Sequence, residues 1–261
     1  MSITPQLVSV VVPVFNEEAG IPLLKDKLLR LQDLLAGEFE MELVFVDDGS
    51  RDRTVERLRE EFGGAPVAFT IAEHGKNLGI GAAFRTGFEN CRGQVICTID
   101  ADCSYSPEGL HLLLVALRTA DADIAVASPY HPCGGVEGVA AWRLLLSRSC
   151  SQLYRWFSPL KLYTYTSIFR AYRAKVVQTV AFRSDGFVSA AEILIAAGRR
   201  GYKVAEVPMV LRARTAGQSK MKIMRTIASH LAMLWGFIAP AQAVAPERLA
   251  PRTSAALDDR N

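Results

Sequence analysis

The chain has 261 residues, half of them hydrophobic, which is enough to bury one sizeable core. Its 30 Lys and Arg against 27 Asp and Glu leave a net charge of +3, too small to mark a nucleic-acid partner. The five cysteines, Cys91, Cys97, Cys103, Cys133 and Cys150, are odd in number and form no Cys-x-x-Cys pair, which argues against a disulfide framework and for reduced thiols. An apolar run begins by Val8 with no basic, apolar leader before it, so a cytoplasmic location is expected.

Taken in chain order, short β-rich runs at 8–12, 41–46, 67–72, 95–99 and 124–127 alternate with helical patterns at 17–35, 54–62, 80–91 and 107–120. Helices long enough to cross back over a sheet predict an α/β fold with a mainly parallel sheet, and ligands at the C-terminal ends of its strands. The second half reads differently. An amphipathic helix is expected over 136–157, an aromatic strand-like run over 162–172 and a helix over 186–198. A strand over 204–211 contains Pro208 and therefore belongs at an edge. In 223–239, Ile223, Ile227, Leu231, Leu234 and Ile238 fall on one helical stripe behind the cations Lys220, Lys222 and Arg225. That pattern suits either peripheral contact with an anionic membrane or packing on the domain. No stretch is apolar over the roughly 18 to 20 residues that a membrane span needs. The residues after Pro240, rich in Ala, Pro and charge, are expected to be disordered.

Three polar turns follow three apolar strands: Pro13-Val14-Phe15-Asn16-Glu17, Asp47-Asp48-Gly49-Ser50 and Asp100-Ala101-Asp102. If the chain stays extended past Ile99, the strand period of two points Asp100 and Asp102 to the same side. Two such carboxylates repel each other unless a cation sits between them, and Mg²⁺ or Mn²⁺ would complete its shell with water and substrate phosphate. Standing alone, the pair would equally well precede a helix cap, since Ser106-Pro107-Glu108 has the form of an N-cap followed by proline.

Together these turns, with Glu206-Val207-Pro208 and the late Arg214-x-x-Gly217-x-Ser219-Lys220, resemble the family-2-type inverting glycosyltransferases of GT-A fold. The nearest subgroup is the dolichyl-phosphate mannose synthase-like enzymes. The resemblance covers roughly 8–234 and implies a GT-A domain over 1–220, an amphipathic helix over 221–239 and a tail over 240–261. It implies a nucleotide-sugar donor, GDP- or UDP-hexose, with Pro13, Phe15, Glu17 and Asp48 in the nucleotide pocket. Phe15 suits base stacking and Asp48 suits hydrogen bonds from base or ribose, whereas Asp47 reads as a buried structural acid. Asp100 and Asp102 would hold the metal, and with Arg214 they form the expected catalytic set.

The nucleophile divides the remaining readings. A lipid phosphate is already ionised and needs cations to hold it, whereas a sugar hydroxyl needs a general base. Arg143 and Ser147, four apart on one helix, and Arg214, Ser219 and Lys220 match the family's acceptor-phosphate groups, which implies transfer of mannose or glucose to a polyprenyl phosphate at the cytoplasmic membrane face. For a hydroxyl acceptor on a glycan or metabolite, Asp185 or Glu192 would be the base. The chain departs from the family at Pro129, where an arginine is usual, and at Ser104, Thr164 and Ile168; His131 is a candidate replacement cation. A dehydrogenase is disfavoured because Gly79-x-Gly81 lacks the third glycine and does not follow the first strand. A phosphatase using Asp100 leaves Asp47-Asp48 unexplained. A non-catalytic nucleotide-sugar-binding module would keep the nucleotide pocket and lose the metal and acceptor groups.

Overall fold

The computed structural model describes residues 5–213 and 228–233. Nine strands and seven α-helices are formed among the described residues: β1 (Gln6–Val14), α1 (Ile21–Leu35), β2 (Phe39–Asp47), α2 (Thr54–Phe62), β3 (Ala68–Glu73), α3 (Ile80–Glu89), β4 (Val95–Thr98), α4 (Leu110–Thr119), β5 (Ile124–Ser128), β6 (Gly135–Glu137), α5 (Ala141–Phe157), β7 (Arg170–Arg173), α6 (Ala174–Thr179), α7 (Val188–Arg199), β8 (Val204–Pro208) and β9 (Val210–Arg212). Seven strands form one sheet in the order β3-β2-β1-β4-β7-β5-β8. All neighbours are parallel except β7, which runs antiparallel between β4 and β5. The chain builds outward from β1 to β3 on one side and then returns to place β4 on the other. The crevice between the C-terminal ends of β1 and β4 is therefore the switch point at which such sheets bind ligands.

The strands are apolar along nearly their whole length because both sheet faces are covered. Leu24, Leu28 and Leu31 of α1 and Leu110, Leu113 and Leu117 of α4 pack on one face against Val10, Val12 and Phe45. On the other face, Phe84 of α3 and Ala191 and Leu194 of α7 meet Val11, Val44 and Ile96. Alternate residues of β1 thus serve opposite cores, as a strand's period of two requires.

The first half follows the expected pattern closely, and the second half departs from it. Residues 136–137 do not begin a helix. They belong to β6, which pairs with β9 in a separate two-stranded parallel sheet, and α5 starts only at Ala141 after Gly138, whose φ is +70°. Of the run at 162–172, only the last residues form a strand, β7; the preceding ones are held in an irregular loop by side-chain hydrogen bonds. The expected strand over 204–211 is broken at Met209 into β8 and β9, and β8 is the edge strand that Pro208 foretold. The expected divisions at 221–239 and 240–261 lie outside the described residues apart from 228–233, which are helical. There His230 is buried and Leu231 is 58% exposed, so the expected apolar stripe does not face the domain at that position. Among the described residues no helix is long and apolar enough to cross a membrane.

Candidate active site

Two cavities open at the C-terminal edge of the sheet. The second strand ends in Asp47, opposite Val14 of β1, and the turn after it carries Asp48, Gly49 and Ser50. Gly49 adopts φ +77°, and a Cβ there would fall 2.5 Å from the carbonyl carbon of Lys76, so only glycine fits this crossing. The two adjacent aspartates then serve different purposes. Asp48 accepts the backbone N–H groups of Leu78 (2.8 Å) and Gly79 (2.9 Å) and faces Nδ1 of His74 at 2.9 Å. The other ring nitrogen of His74 meets the hydroxyl of Thr86 at 2.9 Å. Asp48 is thereby a buried anchor for the loop 74–79. Asp47 accepts the Ser50 N–H through Oδ2 (3.0 Å), while its Oδ1 is buried with no hydrogen-bond partner among the described residues.

A cavity of about 650 Å³ is lined by Phe15, Asn16, Asp47, Ser50, Lys76 and Asn77 among others. Phe15 is where the sequence places it, but Asp48 is not in the wall and Asp47 is. Asp48, expected to contact the ligand, spends its carboxylate on the loop that closes over it, while Asp47, expected to be structural, lies in the wall. Pro13 and Glu17 do not line this cavity either. Pro13 is a ladder position opposite Val46, and Glu17 opens the short 3₁₀ turn Glu18–Gly20 with its backbone N–H bonded to Thr54 Oγ1. Gly79, φ +103°, would bring a Cβ to 2.4 Å from the Asp185 carbonyl oxygen, so the glycines at the start of α3 serve close packing on the 184–185 loop.

The other cavity, about 470 Å³, is lined by Asp100, Asp102, Tyr130, Arg143, Ser147 and Thr166, with Pro129, Ala213 and His230 also in its wall. The two aspartates do reach the same cavity, but not through an extended strand. The fourth strand ends at Thr98, residues 101–102 turn, Cys103 takes φ +54° and Asp102 Oδ1 accepts the Ser104 N–H at 2.9 Å. An Asx-type turn therefore sets the pair, and Ser106 rather than either aspartate occupies the N-cap before Pro107. Opposite them, α5 supplies Arg143 and Ser147 from one face; Ser147 Oγ lies 2.7 Å from Thr166 Oγ1. The donor set fits a hard divalent cation: two carboxylates on one wall, with no cluster of three or more His, Cys, Asp or Glu among the described residues to complete an all-protein cage.

Loop 162–169 forms part of this wall because Glu206 of β8 holds it. Its carboxylate accepts the N–H groups of Tyr163 (2.8 and 2.9 Å) and Thr164 (2.9 Å) and the hydroxyl of Ser128 (2.7 Å). The fully buried Arg170 secures the far end through the carbonyls of Tyr165 (2.9 Å) and Ala190 (2.6 Å). Neither role is readable from spacing, although Glu206 stands in a segment that carries the family resemblance.

Asp185 and Glu192 are outside the cavity. Asp185 pairs with Arg85, and Glu192 accepts the N–H groups of Arg183 and Ser184, both at 2.9 Å. His131 is not in the wall, and its Nδ1 accepts the Cys133 N–H. His230 is in the wall, bonded through Nδ1 to the Tyr154 hydroxyl at 2.6 Å, and burial pulls its pKa down to about 4. Arg214, Ser219 and Lys220 lie outside the described residues; Ala213, immediately before them, lines the cavity.

Residues 9–180 match the model of glycosyl transferase family 2. The chain belongs to that family. It is 34% identical over 217 residues to a dolichol-phosphate mannosyltransferase of Pyrococcus furiosus, covering 82% of this chain and 59% of that one. Against a polyprenol monophosphomannose synthase of Mycolicibacterium smegmatis it is 31% identical over 218 residues, covering 81% and 80% respectively. It thus spans somewhat over half of the first relative and most of the second. Its fold is similar to that of glucosyl-3-phosphoglycerate synthase from Mycobacterium tuberculosis, with a TM-score of 0.67 at 19% identity over 91% of this chain and 82% of that one. The family-2, dolichyl-phosphate mannose synthase-like resemblance and the GT-A fold expected from the strand-end motifs are both borne out.

Proposed function

We propose that this family-2 chain transfers a hexose, mannose or glucose, from a GDP- or UDP-sugar to a polyprenyl phosphate, with inversion, at the cytoplasmic face of a membrane. One observation carries the acceptor class: the cavity holding Asp100 and Asp102 also holds Arg143 and Ser147, and among the described residues no other carboxylate lines it. A phosphate nucleophile needs a cation and hydroxyls to position it and no base to ionise it. The two candidate bases for a hydroxyl acceptor, Asp185 and Glu192, are engaged elsewhere, and His230 is tied to Tyr154. The relatives named for dolichol phosphate and polyprenol monophosphomannose support the same class.

In this reading the nucleotide base enters beside Phe15, which stacks it, and Asp47 Oδ1 accepts a base or ribose hydrogen bond. Mg²⁺ or Mn²⁺ held by Asp100 and Asp102 would supply charge neutralisation for the departing diphosphate. Arg143 and Ser147 hold the acceptor phosphate for attack from the opposite face of the anomeric carbon, and the family resemblance assigns Arg214, Ser219 and Lys220 to the same acceptor.

The test uses the full-length protein with radiolabelled GDP- and UDP-hexoses, divalent metal and a short-chain, detergent-dispersed polyprenyl phosphate. Label should enter an organic-soluble, acid-labile product, and a chelator should stop it. Metal-dependent donor consumption with label only in water-soluble glycan would overturn the acceptor assignment.

A further inference from the structure

His230 enters the catalytic cavity from a part of the chain that none of the strand-end motifs supplies. It stands on the helical stretch 228–233, is 6% exposed, and lines the wall together with Asp100, Asp102, Arg143 and Ser147. One of its ring nitrogens is already used. Nδ1 lies 2.6 Å from the hydroxyl of Tyr154, a fully buried residue of α5 whose ring is 5.7 Å from that of Tyr165 in loop 162–169. The same hydroxyl is 3.7 Å from Sδ of Met233, three residues beyond His230.

These contacts decide the tautomer. A thioether is a weak acceptor and an unprotonated imidazole nitrogen a strong one, so the Tyr154 proton points to Nδ1. Burial pulls the pKa down to about 4, which keeps the ring neutral at physiological pH. A neutral imidazole carries one proton, and with Nδ1 accepting, that proton sits on Nε2. Nε2 has no hydrogen-bond partner among the described residues, and the ring edge that carries it is left to the cavity. His230 therefore offers the cavity a donor and no lone pair.

The rest of the wall indicates what that donor meets. An ionised phosphate calls for a cation, which Arg143 supplies, and beside the imidazole it would draw a second proton onto the ring. A neutral donor suits a neutral oxygen. Thr164, Thr166 and Ser167 add hydroxyls to the same wall. Hydroxyls with one neutral N–H match a sugar, whose own hydroxyls both give and accept hydrogen bonds.

We propose that His230 is a substrate-contacting residue that donates its Nε2–H to a hydroxyl oxygen of the transferred hexose, with Tyr154 as the positioning residue that sets its tautomer. The assignment rests on the reading of this cavity as the place of sugar transfer and adds a group that discriminates among sugars. An epimer or deoxy sugar that withdraws the hydroxyl leaves the donor unpaired.

The experiment is calorimetric titration of the full-length protein, with Mn²⁺ and no acceptor, by GDP-mannose and UDP-glucose, each against its nucleoside diphosphate. H230N keeps an amide where Nδ1 meets Tyr154 and loses the donor at Nε2, whereas H230Q places an amide donor near Nε2. For the nucleotide sugar that wild type prefers, H230N should weaken binding about tenfold, H230Q should recover most of it and Y154F should weaken it about threefold. Affinity for the nucleoside diphosphate should stay within about twofold throughout. Equal losses for nucleotide sugar and diphosphate, or no loss for either, overturn the proposal. Should the variants fail to fold, wild type decides: ¹⁵N resonances should report a neutral ring protonated at Nε2, and that nitrogen should shift with the nucleotide sugar and not with the diphosphate. An Nδ1–H tautomer, or a nitrogen indifferent to the sugar, overturns it. A wild type that binds neither nucleotide sugar overturns it together with the transfer reading. With no acceptor present the titrations are blind to acceptor class, so a lipid assay that fails leaves His230 in place, and a His230 that ignores the sugar leaves the lipid product in place.

Discussion

The carboxylate of Asp48 lies 2.9 Å from Nδ1 of His74, with the N–H groups of Leu78 and Gly79 on the same carboxylate. This closes the loop 74–79 onto the end of β2 and leaves Asp47, the preceding residue, facing the cavity beside Phe15. Exchanging the two aspartates in turn separates binding from stability. Asp48→Ala removes the acceptor of two amides and a ring nitrogen and should lower stability by about 2–4 kcal/mol, since each orphaned buried donor costs about 1–3 kcal/mol. Asp47→Asn should leave the melting temperature unchanged or raise it, because it removes the charge of a buried carboxylate whose Oδ1 has no hydrogen-bond partner among the described residues, while weakening nucleotide binding about tenfold. Thermal melts alongside calorimetric nucleotide titration check both; a stable Asp48→Ala, or an Asp47→Asn with native affinity, would reverse the assignment.

Asp102→Ala should lower metal-dependent turnover by roughly 10²–10³-fold or more, the range found when one electrostatic stabiliser is removed from a transition state. The Ser104 N–H that it caps at 2.9 Å lies in the local turn, so a thermal melt run alongside separates loss of metal from loss of fold. Steady-state rates with and without added Mg²⁺ or Mn²⁺ read this directly, and native turnover in the variant refutes the metal role.

Arg143→Ala should raise the acceptor KM about 10- to 100-fold with little change in donor affinity, and Arg143→Lys should recover only part, since an ammonium lacks the planar fork that suits a phosphate. Initial rates at varied acceptor and fixed donor distinguish this from a loss of donor binding.

Glu206→Ala should release loop 162–169, freeing the Tyr163 and Thr164 amides and the Ser128 hydroxyl together. Hydrogen exchange should accelerate at residues 163–164 in the variant, and stability should fall by about 2–4 kcal/mol. Unaltered exchange there would mean that the loop is held by its other contacts.

Burial holds the His230 pKa down to about 4, below the ordinary 6.5. The undocked state therefore binds more protons between those values, and docking of residues 228–233 against Tyr154 weakens as pH falls through that window; it is fully present above about 6.5. An NMR titration of the imidazole should give a midpoint near 4, and a midpoint near 6.5 would place the ring in solvent.

The sequence alone determined the α/β alternation, because the strands of a doubly covered sheet must be apolar throughout and the helices must show one apolar stripe. It also located three of the strand-end turns, since polar residues after an apolar run have nowhere else to go. Tertiary structure decided what those turns do. Whether Asp47 or Asp48 faces the cavity depends on a loop 26 residues away in the chain, the one bearing His74. The pairing of β6 with β9, the insertion of antiparallel β7 and the grip of Glu206 on the 163–164 amides all join segments tens of residues apart. Local periodicity carries no record of such contacts. The outward stripe of α5 lay between the two cases: its spacing was legible as an amphipathic helix, but only the packed domain shows that Tyr154 and Cys150 face inward while Trp142, Leu145 and Trp156 are left exposed.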